Sequence, residues 1–369
     1  MDKKFRLEAD SLGEKEVPKE AYYGVHSVRA AENFTITGRR IHKELILGLA
    51  QVKKACAISN HKAGIMTEEV KDAIVQACDE IIAGKFHDQF IVDPIQGGAG
   101  TSANMNANEV IANRANEILG GELGVYDKVH PNDHVNMGQS TNDAFPTAGK
   151  IAALRLGART VEELEKLYEA LLKKSEEFDH VIKMARTHLQ DAVPIRLGQE
   201  FHGYSSVIKR DIDRIKNALD GIRVVNMGAS AVGTGINVDT EYLEFIVPDL
   251  NEIVNLDLVQ AEDLVDGTNN LDGFVFVSAA LKTAAVNLSK MSNDMRLMAS
   301  GPRCGFYELH LPAKQAGSSI MPGKVNPVIA EVMSQTAFNL IGNDTAVTMA
   351  AEAGQLELNV FEPVLLYNL

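Results

Sequence analysis

The chain has 369 residues, 45% hydrophobic and 23% charged, with a net charge of −14. That is the balance of an ordinary globular protein, long enough for two or three packed units. The acidic surplus offers no basic footprint for phosphate backbones and argues against nucleic acid as a partner, and an anionic ligand would need local positive groups to overcome the global field.

Cys56, Cys78 and Cys304 are odd in number and widely spaced, with no CxxC pair, which reads as free apolar fillers in a reducing compartment. The charged opening MDKKFRLEADSLGEKEV lacks the apolar core of a signal peptide. No apolar run reaches membrane-spanning length. A cytoplasmic protein without a membrane partner is the expectation.

In chain order, residues 1–40 contain Pro18, Gly24 and Gly38 among short apolar pieces and predict an irregular arm. Ile41, Leu45, Leu49, Val52 and Cys56 then recur at helical spacing. Val70, Ile74, Cys78 and Ile81 do so again after Thr67, an N-cap candidate followed by Glu68 and Glu69. QGGAGTSANMNANEVIANRANEIL (96–119) sets a glycine-rich turn directly before a helix. Such a turn either caps the helix through Thr101 or Ser102 or offers N–H groups to an anion. It lacks the GK[ST] of a nucleotide loop.

Beyond Pro146 the pattern becomes strongly helical. Leu154, Val161, Leu164, Leu167 and Leu171 form one stripe; Leu197, Phe201, Tyr204, Ile208, Ile212, Ile215, Leu219 and Ile222 form a second. Phe274, Val277, Leu281, Ala284, Leu288, Met291, Met295 and Met298 form a third, flanked by further alanines. A fourth runs through Ile329, Val332 and Met333 past Leu340. Long helices with apolar stripes and short breaks predict an all-α bundle. A third helix apolar on several faces is either central or shared with another subunit. The expected division is a mainly helical N-terminal domain, 1–142, and a long-helix bundle domain, 143–369.

Four polar segments interrupt this pattern: 97–106, 130–147, 185–201 and AGSSIMPGKVNPV, 316–328. The last has two adjacent hydroxyls, a lysine and an amide among Gly and Pro breaks, and predicts a loop between helices. His130 and His134 have helix-compatible spacing but no third ligand, so hydrogen bonding at a helix start with Pro131 at N1 is expected and no metal. Thr187 and His188 precede a turn closed by Pro194. There is no GxSxG elbow and no Cys–His nucleophile pattern. Thr101, Ser140, Thr141 and Ser319 could donate to one carboxylate while Lys324, Asn142 and Asn326 hold a second. Neutral donors with one lysine suit a small dicarboxylate whose charge grows during reaction, hence proton abstraction beside a carboxylate.

GSSIMPGKVNP (317–327) resembles the signature loop of the fumarase/aspartase superfamily. GTSANMN, HPNDHVN, QSTND, RTHLQDAVP and AVGTGIN (231–237) are similar to that family's other blocks, in the same order, so the resemblance spans essentially the whole chain. AYYG (21–24), GGAGTS and QSTND resemble the aspartase branch, whereas RTHLQ and HGY (202–204) lean toward fumarases.

The resemblance implies a lyase that converts L-aspartate reversibly to fumarate and ammonia; the residue pattern itself leads to the expectation of no cofactor and no metal. Ser318 would be the general base that removes the C3 proton, its alkoxide stabilised by loop N–H groups and nearby positive charge. Thr101, Ser140, Thr141 and Ser319 would donate to the resulting aci-carboxylate. Asn142, Thr187, His188, Lys324 and Asn326 would hold the other carboxylate and the amino group, with Met321 beside the substrate and His188 also counted as catalytic. The implied fold is an α-helical homotetramer with a merged central bundle, each site gathering segments from three subunits. Family members continue for about a hundred further residues into a small C-terminal domain, a common domain size, which this chain lacks. A fumarate hydratase and a catalytically weak truncated scaffold are the alternatives.

Overall fold

The computed structural model describes residues 4–369. Residues 4–40 are more ordered than an irregular arm; residues 1–3 of that expected arm lie outside the described residues. Phe5–Asp10 (β1) and Gly13–Pro18 (β2) pair antiparallel, with Phe5 opposite Pro18. Gly13 at φ 111 supplies the tight turn. The alternation in FRLEAD is inverted: Leu7 is 63% exposed and Glu8 only 5%. The inward face is polar because Arg6 bonds Glu8 and donates to the carbonyls of Pro18, Lys19, Ala21 and Tyr23, so its guanidinium pins the returning chain.

A short helix, Val25–Asn33 (α1), follows. Its N-terminus is capped from a distance. The buried Glu109 carboxylate accepts from the backbone N–H groups of Gly24 (2.8 Å), His26 (2.8 Å) and Ser27 (3.1 Å) and from the Ser27 hydroxyl (2.5 Å). Burial pushes the Glu109 pKa up, opposed by these donors.

The chain divides into two compact units, and the hairpin and α1 belong to the first. The first comprises 1–156, 221–274 and 346–369. Its helices Lys43–Lys62 (α2) and Glu68–Ile82 (α3) carry the predicted stripes: Leu49, Val52, Cys56, Ile74, Cys78 and Ile81 are fully buried. Thr67 caps α3 as expected, accepting from Val70 N–H. Thr101–Ile118 is α4. At Pro131–Val135 one wide helical turn starts on His130, whose ring nitrogen accepts from the N–H groups of Asn132 and Asp133, with Pro131 at the predicted position. The long helix Thr141–Glu177 (α5) starts before Pro146 and enters this unit with its first half. A two-residue parallel pair, Val224–Val225 (β5) with Val259–Gln260 (β6), and helices Thr240–Val254 (α7), Leu264–Asn269 (α8) and Glu362–Asn368 (α11) complete it. Helices α2 and α5 touch backbone to backbone: a Cβ on Gly48 would stand 2.6 Å from the Ala148 carbonyl oxygen.

The second unit, 157–220 and 275–345, is a bundle. It joins the rest of α5, Leu197–Gly221 (α6), Asp272–Met298 (α9) and Val328–Glu352 (α10), with an antiparallel hairpin of Ile182–Thr187 (β3) and Gln190–Arg196 (β4). Phe201, Ile208, Ile212, Ile215 and Leu219 bury the predicted second stripe. Buried polar pairs set the register: Asn287 of α9 donates to Asp211 of α6, and Ser278 and Lys282 of α9 donate to Asp344 of α10. Pro194 does not close a turn; it lies within β4 opposite Met184, and the turn is His188–Leu189.

The fourth stripe faces the wrong way for a single chain. Ile329, Val332 and Phe338 are 51–63% exposed, while Ser334, Ala337 and Asp344 are the residues that α10 buries in this unit. Phe276 and Val286 of α9 are half exposed as well. Among the described residues no helix is long and apolar enough to cross a membrane.

Gly48→Ala sets a methyl against fixed backbone on both sides, so neither helix can yield cheaply. Urea unfolding should show a loss of about 1–3 kcal/mol; a change under about 0.5 kcal/mol would mean that the α2–α5 contact is not held at this distance.

Candidate active site

The candidate residues divide between the two units. Thr101, Ser140, Thr141 and Asn142 belong to the first; Thr187, His188, Ser318, Ser319, Met321, Lys324 and Asn326 belong to the second.

In the first unit, Gly98 and Gly100, both at positive φ, turn the chain into α4. Gly100 is required twice over, since a Cβ there would meet the Phe145 ring at 2.5 Å. Neither Thr101 nor Ser102 caps the helix; Gly100 holds that position. Thr101 is exposed, and its hydroxyl donates to the Gly98 carbonyl at 2.6 Å. The turn is less open as an anion cradle than expected, because the Thr101 N–H bonds Gly98 and the Ala103 N–H bonds the Gln96 side chain.

Ser140 to Asp143 form a reciprocal cap on α5. Ser140 Oγ accepts from the Asn142 N–H at 3.1 Å, and Asp143 Oδ1 accepts from the Ser140 N–H at 2.9 Å. The other Asp143 oxygen accepts from the N–H groups of Gly228 and Ser230, while Asn142 donates to the Ala231 carbonyl and receives from Asn226. The turn segment 226–231 is thereby stitched to the QSTND block. Thr141 is buried, its hydroxyl accepting from Asn104 Nδ2 at 3.0 Å.

Beneath this cap lies Lys53, fully buried on α2. It donates at 2.8 Å to both Asn136 Oδ1 and Gln139 Oε1. Asn136 Oδ1 also accepts from Asn104 and Asn108. Burial pushes the Lys53 ammonium down to about 8, against the pull of Asp143 and other neighbours. The same burial pushes the Asp143 carboxyl up to about 6, although its backbone donors and Lys53 oppose the rise. Sequence reasoning missed this layer. Its signals were present: Asp143 three residues after Ser140, and a lysine on the Leu49–Cys56 face of a helix.

In the second unit, Thr187 ends β3 and His188 occupies the hairpin turn at φ 54, both exposed. The loop 316–328 is the predicted irregular connection. It is pinched shut at its base: Gly317 N–H donates to the Lys324 carbonyl at 2.9 Å, and Asn326 Nδ2 donates to the Gly317 carbonyl at 2.7 Å. A Cβ on Gly317 would stand 2.5 Å from that Lys324 oxygen, so only glycine allows the pinch. Immediately after it, Ser318 Oγ accepts from two backbone N–H groups, Ile320 at 3.2 Å and Met321 at 3.0 Å. Ser318 is half-buried. Ser319, Met321 and Lys324 are exposed, and the Asn326 amide is spent on the pinch.

Chemically, two N–H dipoles aimed at one hydroxyl oxygen favour negative charge on it. With Ser319 and Lys324 exposed on the same loop, that oxygen is a candidate base for an anionic substrate.

Similarity to known proteins carries the assignment further. Residues 13–342 match the lyase family. An aspartate ammonia-lyase of Bacillus sp is 58% identical over 369 residues, the whole of this chain and 79% of that protein. A structure of a Brucella melitensis fumarate lyase:delta crystallin bound to cobalt superposes with a TM-score of 0.96 at 50% identity, covering 99% of this chain and 80% of that one. A recombinant class II fumarase from Schistosoma mansoni superposes at 0.95 with 39% identity, covering 99% and 80%.

The raised Asp143 pKa has a definite sign for stability. Between its unfolded value and about 6 the folded chain holds the extra proton, so stability is fullest below the unfolded value and falls as pH rises through that window. The stability advantage of the parent over Asp143→Asn should therefore shrink by on the order of 3 kcal/mol between pH 4 and pH 7. A difference independent of pH would place an unshifted carboxylate at this position.

Over its full length, then, by helical architecture, by the order of its polar blocks and by sequence identity, the chain belongs to the lyase family of the fumarase/aspartase superfamily.

Proposed function

We propose that the chain removes the C3 proton of L-aspartate with Ser318 and expels ammonia from C2, giving fumarate in a reversible reaction. The observation that carries this reading is the pair of N–H groups already directed at Ser318 Oγ. A serine hydroxyl is too weak an acid to serve as a base near neutral pH unless its alkoxide is stabilised. Those two dipoles are the kind of stabilisation required, and Lys324 on the same loop adds positive charge.

Proton removal leaves an aci-carboxylate dianion. Donors from Thr101, Ser140, Thr141 and Ser319 would strengthen on it as charge develops, which lowers the barrier rather than merely tightening binding. Asn142, Thr187, His188, Lys324 and Asn326 would hold the second carboxylate and the amino group, with Met321 against the substrate. The glycines and prolines that bound the loop fit a lid that closes over it. The exposed apolar residues of α9 and α10 support a homotetramer, in which donors of both units would be drawn from neighbouring copies. The aspartase reading rests on 58% identity to an enzyme of that name.

A fumarate hydratase is the second reading, supported by RTHLQ, HGY and the likeness to the class II fumarase. Following fumarate by its ultraviolet absorbance, from L-aspartate and from L-malate, separates the two. Turnover of aspartate is expected, lowered by at least about a hundredfold in Ser318→Ala with the oligomer intact on sizing. Malate turnover alone would overturn the substrate assignment, and undiminished activity in the variant would remove Ser318 as the base.

A further inference from the structure

The second unit contains an ion cluster outside the proposed substrate contacts. Lys183 and Arg186 sit on β3, close before Thr187 and His188. Both reach Glu308, at the root of the segment that leads to Ser318: Arg186 Nη1 to Oε1 at 2.7 Å and Lys183 Nζ to Oε2 at 2.8 Å. Lys183 also bonds both oxygens of Glu200 at 3.0 Å. The Arg186 guanidinium lies 4.1 Å over the Phe306 ring, a stacking contact that fixes its plane.

Backbone bonds hold the same root. Tyr307 N–H donates to the Ser300 carbonyl, and the N–H groups of Glu308 and Leu309 donate to the Met298 carbonyl at the end of α9. The Glu308 side chain is 18% exposed and those of Lys183 and Arg186 are 10% and 22%, so water competes weakly for these bonds. Burial pushes the Glu308 carboxyl up, but the two cations outweigh it and hold it below its usual value.

The cluster therefore connects two segments far apart in sequence. One carries Thr187 and His188; the other runs from Glu308 to the Gly317–Lys324 pinch on which Ser318 sits. We propose that Glu308 is a positioning residue for the lyase reaction: by gripping Lys183 and Arg186 it fixes where the Ser318-bearing segment is rooted against the β3–β4 turn. It touches no substrate. Its effect is on the alignment of the base-bearing loop with the hairpin, and this rests on the reading of Ser318 as the base.

A positioning role for Glu308 has a signature that neither general destabilisation nor a substrate contact would give. Glu308→Gln keeps the shape but removes the charge that both cations share, and Glu308→Asp keeps the charge on a shorter arm. In Glu308→Gln we expect kcat for L-aspartate to fall at least tenfold with KM moved less than threefold, and kcat to recover partly in Glu308→Asp. Amide hydrogen exchange, followed by mass spectrometry on the parent and Glu308→Gln, reads the clamp independently of turnover. Exchange should quicken at 306–327 and 186–190 and stay unchanged in α6. If both variants match the parent in kcat and exchange, the proposal is overturned. If exchange quickens everywhere, Glu308 is a general stabiliser and the proposal also fails. If the parent does not turn over aspartate, the Ser318 reading fails, while the exchange comparison still decides whether Glu308 roots the loop.

Discussion

A hydroxyl can take a proton from carbon only where negative charge on its oxygen is made tolerable, and that requirement organises the proposed site. The N–H groups of Ile320 and Met321 face Ser318 Oγ because the chain reverses directly after Gly317. The reversal is possible because Gly317 lets the Lys324 carbonyl approach within 2.5 Å of where a Cβ would be. On the proposed reading, backbone geometry supplies what the side chain lacks, and the loop's prolines and glycines serve chemistry as much as topology.

The first unit meets a different constraint. Its candidate donors are neutral, so their orientation must come from what lies behind them. Asn104 holds the Thr141 hydroxyl, Asp143 closes the cap on Ser140, and the buried Lys53 ammonium gathers Asn136 and Gln139. Burying a lysine and a carboxylate in one layer costs desolvation, visible in the opposed shifts of Lys53 and Asp143. The return is rigidity: each charged group accepts or donates several bonds that an apolar filler could not.

Much of this was legible from residue order. Periodicity located the helices because apolar spacing and packing agree at Leu49, Cys56, Ile208 and Ile215. It failed where polarity and burial part company. The β1–β2 hairpin hid because its buried face carries Glu8 and Arg6 while Leu7 is exposed. The stripe of Ile329 and Val332 pointed to a core that one chain does not build. The QSTND and GSSIMPGKVNP blocks revealed candidate donors through their residue types. Glu308 stayed invisible, since its meaning depends on Lys183 and Arg186, brought to it only by the hairpin's fold.

The central claim is that a C3–H bond of aspartate and the C2–N bond are made and broken at one site. Run in reverse in deuterium oxide, with fumarate and ammonium as the reactants and proton NMR as the readout, the chain should yield aspartate carrying a single deuterium at C3. Deuterated malate in its place, or no addition product from a folded oligomer, would contradict the account.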